Sequence, residues 1–151
     1  MRAAGLRESF MPNNQREGHR PLILIIDDDE AFRDTAEALL ERQGYAVMTV
    51  DGGAAALQTI EEELPAIILL DVFMPGMDGF EFLKTLRSAA IHVPVLVTSG
   101  AVAGGEPDPM LSRAMALGAD GILRKPFRME ELQRLIAQVA PAIVAAAKDN
   151  R

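Results

Sequence analysis

The sequence predicts a single α/β domain built on one doubly wound, five-stranded parallel sheet. Three observations predict it. Apolar, strand-like runs alternate five times with helix-periodic segments after Pro21. The strongest runs are continuously apolar rather than alternating, as expected of strands covered on both faces. A chain of 151 residues with 49% hydrophobic and 25% charged residues has room for one sizeable core and short tails.

The elements follow in order. Residues 1–20 hold little apolar content and are expected to form a disordered leader. Leu22-Ile23-Leu24-Ile25-Ile26 reads as a strand that stops at Asp27-Asp28-Asp29. The next helix places Phe32, Ala36, Leu39 and Leu40 on one buried face and ends at Gly44, a suitable cap. Residues 45–50 give a second strand, and Asp51 is expected to cap a helix running to about Glu63, before Pro65. A third strand over 66–70 ends at Asp71, and the turn from Met74 to Gly79 leads into a helix over 80–87. Residues 95–98 form the fourth strand. A Gly/Pro-rich loop and a short helix ending near Gly118 follow it, and 121–124 is the fifth strand. The last helix starts near Arg128 and buries Met129, Leu132, Leu135, Ile136 and Val139 until Pro141 breaks it. The domain is thus expected over 21–140, with 141–151 as a tail or an extension of that helix that packs, forms a dimer contact or frays.

Composition removes several function classes. No cysteine is present, which excludes disulfides, thiolate catalysis and Cys-based zinc sites. The formal charge is −7, and the four Arg and two Glu of the first 21 residues leave about −9 for the rest, so no basic stripe for nucleic acid exists. No apolar run approaches the roughly 18–20 residues that span a bilayer, and the N-terminus lacks the apolar stretch of a signal peptide. The expectation is a cytoplasmic protein without nucleic-acid or membrane partners.

Right-handed crossovers put every strand's carboxyl end on one edge, where ligands of such sheets bind at the switch in strand order. Asp27, Asp28, Asp71, Ser99 and Lys125 all fall just beyond strand ends. Each alone has a mundane reading as a helix cap, a turn residue or a solvated lysine. Together they form a constellation. Three converging carboxylates repel one another, and a hard divalent cation such as Mg²⁺ (or Mn²⁺) relieves this while keeping room for a phosphate oxygen. A carboxylate so oriented can attack phosphorus, giving an aspartyl phosphate. Lys125 supplies a point positive charge and Ser99 a short hydroxyl donor.

Four stretches carry a resemblance: Ile25-Ile26-Asp27-Asp28-Asp29; Leu70-Asp71-Val72-Phe73-Met74-Pro75-Gly76-Met77-Asp78-Gly79; Val97-Thr98-Ser99-Gly100; and Lys125-Pro126-Phe127. Over about residues 21–140 the chain resembles the receiver domain of two-component response regulators. The resemblance implies a flavodoxin-like fold of chemotaxis-regulator type and a stand-alone switch or phosphorelay intermediate. It implies that Asp71 accepts a phosphoryl group from a phosphohistidine on a histidine kinase or histidine phosphotransfer protein. It further implies Asp28 as direct metal ligand, Asp27 acting through water, and the Phe73 backbone carbonyl as the third protein ligand. Ser99 would move toward the phosphoryl group, Lys125 would bind a phosphoryl oxygen, and Lys125-Pro126 would be cis. Catalysis would be limited to self-phosphorylation and self-dephosphorylation, with a monomer or a phosphorylation-dependent dimer binding an unnamed downstream protein.

The pattern departs from the family at three places. Ile122 stands where these domains usually carry a switching Tyr or Phe, three residues before the lysine. The interval from Ser99 to Lys125 is 26 positions, a few more than usual, with the surplus after Gly100 in residues 101–109. Output is therefore expected through this mobile loop and the fourth helix. Phe73 and Ala101, apolar where the family flanks its hydrolytic water, imply a long-lived phosphoryl group. Competing functions are a phosphatase of haloacid-dehalogenase type and a degenerate receiver that only docks. The first would need its nucleophile on the first strand, where Glu30 and Ala31 follow the acids instead of a short β-branched residue. The intact acid set opposes the second. Neither nucleotide-binding glycine motif is present.

Overall fold

The computed structural model describes residues 20–74, 76–100 and 109–150, apart from the side chains of Met110 and Leu111. The expected leader and the loop over 101–108 lie outside the described residues. The elements are β1 (Leu22–Ile26), α1 (Glu30–Arg42), β2 (Ala46–Val50), α2 (Gly53–Glu62), β3 (Ile67–Asp71), α3 (Gly79–Ser88), β4 (Val95–Ser99), α4 (Pro109–Ala116), β5 (Gly121–Arg124), α5 (Met129–Val139) and α6 (Pro141–Lys148). All strands are parallel in the order β2-β1-β3-β4-β5. The fold is the flavodoxin-like, five-stranded architecture that the sequence predicts, with strand boundaries shifted by a residue at most.

Side-chain alternation divides the apolar runs between two cores. Leu24, Ile26, Ile68, Leu70, Val95 and Val97 face one layer with Ala56, Phe82, Leu83 and Ala114. Ile23, Ile25, Ile67, Leu69, Leu96 and Leu123 face the other with Leu40, Leu132, Ile136 and Ile143. β1, β3 and β4 are buried along their whole length, which is why they read as unbroken apolar runs.

Two expectations are corrected. Asp51 does not cap α2: the cap is Gly52, in extended backbone and without a side-chain hydrogen bond, so Asp51 stands one residue too early. Leu39 is not in the core but 38% exposed. It turns into a groove with Phe32, Pro126 and Phe127, while Ala36 and Leu40 alone fill the buried face of α1.

The chain breaks at Ala140, and Pro141 starts a separate helix at a position where its missing N–H costs nothing. Ile143 and Ala147 of α6 are fully buried, in contact with the α1 and α5 layer. The approach is close because Gly44, at φ +97°, lacks a Cβ that would stand 2.0 Å from the Ala147 carbonyl oxygen.

Candidate functional site

The order of the sheet reverses between β1 and β3, and the crevice at their carboxyl ends is where this topology binds ligands. Asp27 and Asp28 lie at the end of β1 and Asp71 closes β3, which brings one ligand atom from each carboxylate within 4.8 Å of the others. The third acid of the triplet has a different task. Asp29 caps α1 by accepting from the Phe32 N–H at 3.2 Å.

Asp27 is buried and held on both carboxylate oxygens: Oδ1 accepts from the Asp29 N–H at 2.9 Å, and Oδ2 from Lys125 Nζ at 2.5 Å. Arg33 donates to the Asp27 backbone carbonyl at 2.8 Å. Asp28, by contrast, is exposed. Asp71 is 7% exposed; its Oδ1 accepts from the Phe73 N–H at 3.0 Å, and its Oδ2 lies 3.9 Å from Lys125 Nζ. Burial chiefly, and then the Asp27 and Asp28 charges, push the Asp71 carboxyl up to about 6 against the opposing pull of the Phe73 N–H and Lys125. Its backbone is fixed by Gly79, where a Cβ would stand 2.6 Å from the Asp71 carbonyl oxygen.

Ser99 ends β4 with its Oγ buried and, among the described residues, without a hydrogen-bond partner. Lys125 is brought beside it by the Lys125 N–H bond to the Ser99 carbonyl, 2.7 Å. The Lys125–Pro126 bond is cis, Pro126 and Gly100 are exposed, and the Phe73 side chain is 48% exposed at the mouth. Ile122 pairs with Val97 in the sheet and packs, half-buried, on the core layer that holds Ala114 of α4. Sequence reasoning missed one neighbour. Phe32 lies with its ring over the Lys125 ammonium, 4.2 Å from Nζ to the centroid. Its helical spacing suits a core residue, and nothing local distinguishes the two roles.

The donor set of the cluster is entirely carboxylate oxygen, with one lysine against three acids, which suits a hard divalent cation rather than a soft one. The Ser99 hydroxyl, without a partner among the described residues, could donate to an oxygen-rich group in the crevice.

A (βα)5 sheet with an acid cluster at its switch point defines a flavodoxin-like domain of the chemotaxis-regulator type. Residues 23–137 match the family model of the response regulator receiver domain, and the chain belongs to that family. It is 38% identical over 112 residues to the response regulator MprA of Mycolicibacterium vanbaalenii, covering 73% of this chain and 46% of that protein. MprA of Mycobacterium ulcerans matches to the same extent, so the chain spans about half the length of these relatives. Among solved structures it is similar to the chemotaxis protein CheY4 of Vibrio cholerae, with TM-score 0.71 and 30% identity over 79% of this chain and 98% of that one. The receiver domain of the Francisella response regulator 1452 superimposes with TM-score 0.69 at 29% identity, over 82% of this chain and 96% of that one. Receiver domains are the signalling phosphoacceptors of two-component systems. Among the described residues no helix is long and apolar enough to cross a membrane.

Proposed function

We propose that this domain is a phosphorylation switch in which Asp71 takes a phosphoryl group from the phosphohistidine of a histidine kinase or a histidine phosphotransfer protein. One observation carries the reading. Asp71 is a buried, oriented carboxylate whose Oδ2 faces a lysine, beside two further carboxylates and a buried hydroxyl without a partner. In the transfer an Asp71 oxygen bonds to phosphorus, the phosphorus–nitrogen bond of phosphohistidine breaks, and the imidazole departs with the bonding pair. Asp27, Asp28, Asp71 and the Phe73 backbone carbonyl are the residues that would hold Mg²⁺ or Mn²⁺. When bound, that ion supplies positive charge to the phosphoryl oxygens.

The chain's own residues do the rest. The Phe73 N–H fixes the Asp71 carboxylate, Lys125 offers its ammonium to a phosphoryl oxygen, and Ser99, which has no partner among the described residues, gains an acceptor. That last change is the switching event. With Ile122 in the aromatic position, the response passes into the segment after Ser99 and into α4, toward a downstream protein partner. Intrinsic activity is confined to gaining and hydrolysing this one phosphoryl group, and the same reading places the domain, over about 21–140, in the cytoplasm.

The phosphatase alternative finds no support in the geometry, because Asp27, the first acid on β1, has both oxygens engaged by Asp29 and Lys125. The test is incubation with acetyl phosphate and Mg²⁺, read by intact mass. One phosphoryl group is expected, absent without the cation and absent in Asp71→Asn; an unmodified wild-type protein would overturn the reading. The same samples on a sizing column report whether the phosphorylated domain dimerises.

A further inference from the structure

Phe32 is only half-buried, although its spacing in α1 suits the core. Its ring covers the Lys125 ammonium at 4.2 Å, and the same ammonium is bonded to Asp27 Oδ2 at 2.5 Å and lies 3.9 Å from Asp71 Oδ2. The ring is itself braced. Phe127 meets it edge to face, with centroids 5.8 Å apart and planes at 82°. The Phe32 N–H is fixed by the Asp29 cap, and the neighbouring Arg33 ties the same helical turn to the Asp27 backbone.

We propose that Phe32 is a positioning residue for the phosphoacceptor site, holding the Lys125 ammonium between Asp27 and Asp71 with the face of its ring. The inference rests on the reading of Lys125 as the group that meets a phosphoryl oxygen. An ammonium has three donors and one is committed to Asp27. Asp27 holds the ammonium from one side at 2.5 Å, and the Phe32 ring closes a second side, which sets where the remaining donors point. The ring face attracts the cation without offering an acceptor atom. It therefore screens one side of the ammonium from water while leaving its remaining donors for the Asp71 side. The Lys125-Pro126-Phe127 turn supplies both the cation and the ring that braces Phe32, so the two contacts are set by one piece of backbone.

The experiment compares the wild-type chain with Phe32→Tyr, Phe32→Leu and a protein carrying pentafluorophenylalanine at 32, which keeps the ring's shape but reverses its electrostatic face. Two quantities are read: the ring-current shift of the Lys125 ε-protons, and the rate of phosphorylation by acetyl phosphate with Mg²⁺. Phe32→Tyr is expected to preserve both. Phe32→Leu and the fluorinated ring are expected to lose the shift and to slow phosphorylation by roughly threefold to tenfold. The fluorinated variant guards against loss of packing in Phe32→Leu. Wild-type rates in both, or an unaltered lysine shift in Phe32→Leu, would overturn the proposal. A wild-type protein that accepts no phosphoryl group would instead defeat the reading of Asp71, and the shift series would still decide whether Phe32 holds the ammonium.

Discussion

At the amino edge of the sheet, Arg87 uses all five of its guanidinium hydrogens. Nε and Nη2 donate to the Gly118 carbonyl at 3.1 and 2.9 Å, Nη1 to the Ile91 and Val93 carbonyls at 2.7 and 2.9 Å, and Nη2 also to Asp120 Oδ2 at 3.1 Å. Asp120 accepts in addition from the Val95 N–H at 2.9 Å. The carboxyl edge is arranged oppositely. Asp71 is buried among carboxylates with its pKa pushed up to about 6, and the Ser99 hydroxyl has no partner among the described residues. One charged cluster is complete in the resting fold and locks the loops that feed β4 and β5. The other sets three carboxylates against one lysine, and in the proposed function it is completed by the phosphoryl group and its cation. In the proposed function the first edge holds the strands in place, and the second is the one that changes when a phosphoryl group arrives.

The sharpest way to break this contrast is to damage the complete edge. Arg87→Ala strands three backbone carbonyls and the Asp120 carboxylate, and should cost on the order of 2–4 kcal/mol in urea unfolding. Arg87→Lys should recover only part of that, because an ammonium cannot reproduce the fork. A loss below about 1 kcal/mol for Arg87→Ala would mean that water satisfies these groups as well as arginine does.

The two edges also differ in how far they can be read from sequence. The placement of the candidate residues was legible because each stands at or just past the end of a strand, and parallel topology brings strand ends together without knowledge of packing. Ser99 and Lys125 were expected at the same edge on this ground, although Asp71 and Lys125 are 54 positions apart. The Arg87 cluster was not legible, since it joins the Arg87 side chain to the Gly118 carbonyl across 31 positions and to the Asp120 carboxylate across 33, and has no periodic signature. The docking of α6 rests on Gly44 meeting the Ala147 backbone, a contact no single-segment pattern encodes. Within the acid triplet the sequence left the exposures open: Asp27 is buried, Asp28 exposed and Asp29 a helix cap, because only backbone geometry separates them.

Relieving the incomplete edge should have the opposite sign. Asp71→Asn removes a carboxylate whose folded pKa of about 6 lies above its ordinary value of 3.8. The native state therefore binds that proton more tightly than the unfolded chain does, so Asp71 favours folding at low pH and this contribution is lost as pH rises through about 6. At pH 7.5 without divalent cations, Asp71→Asn should be more stable than wild type by on the order of 1–3 kcal/mol. The difference should shrink as pH falls from about 6 toward 4. Equal stability of the two proteins at pH 7.5 would mean that the carboxylates are not strained at rest. Millimolar Mg²⁺ should narrow the gap from the other side: at a concentration tenfold above its dissociation constant it would stabilise wild type by about 1.4 kcal/mol. It should do much less for Asp71→Asn.

Ser99→Ala should have the smallest effect on stability and separates resting strain from function most cleanly. The hydroxyl is buried and has no partner among the described residues, so it carries a desolvation cost that no bond there offsets, and its removal leaves a methyl of nearly the same volume. Unfolding free energy should therefore change by less than about 0.5 kcal/mol, or rise slightly. Amide exchange in α4 and the segment after Ser99 should tell the two proteins apart, since a phosphorylated domain lacking the hydroxyl cannot make the new bond. Wild type should change its protection there on phosphorylation and Ser99→Ala should not. If Ser99→Ala were destabilised by more than about 1 kcal/mol, the hydroxyl would have a resting partner, and the carboxyl edge would be as complete as the Arg87 edge.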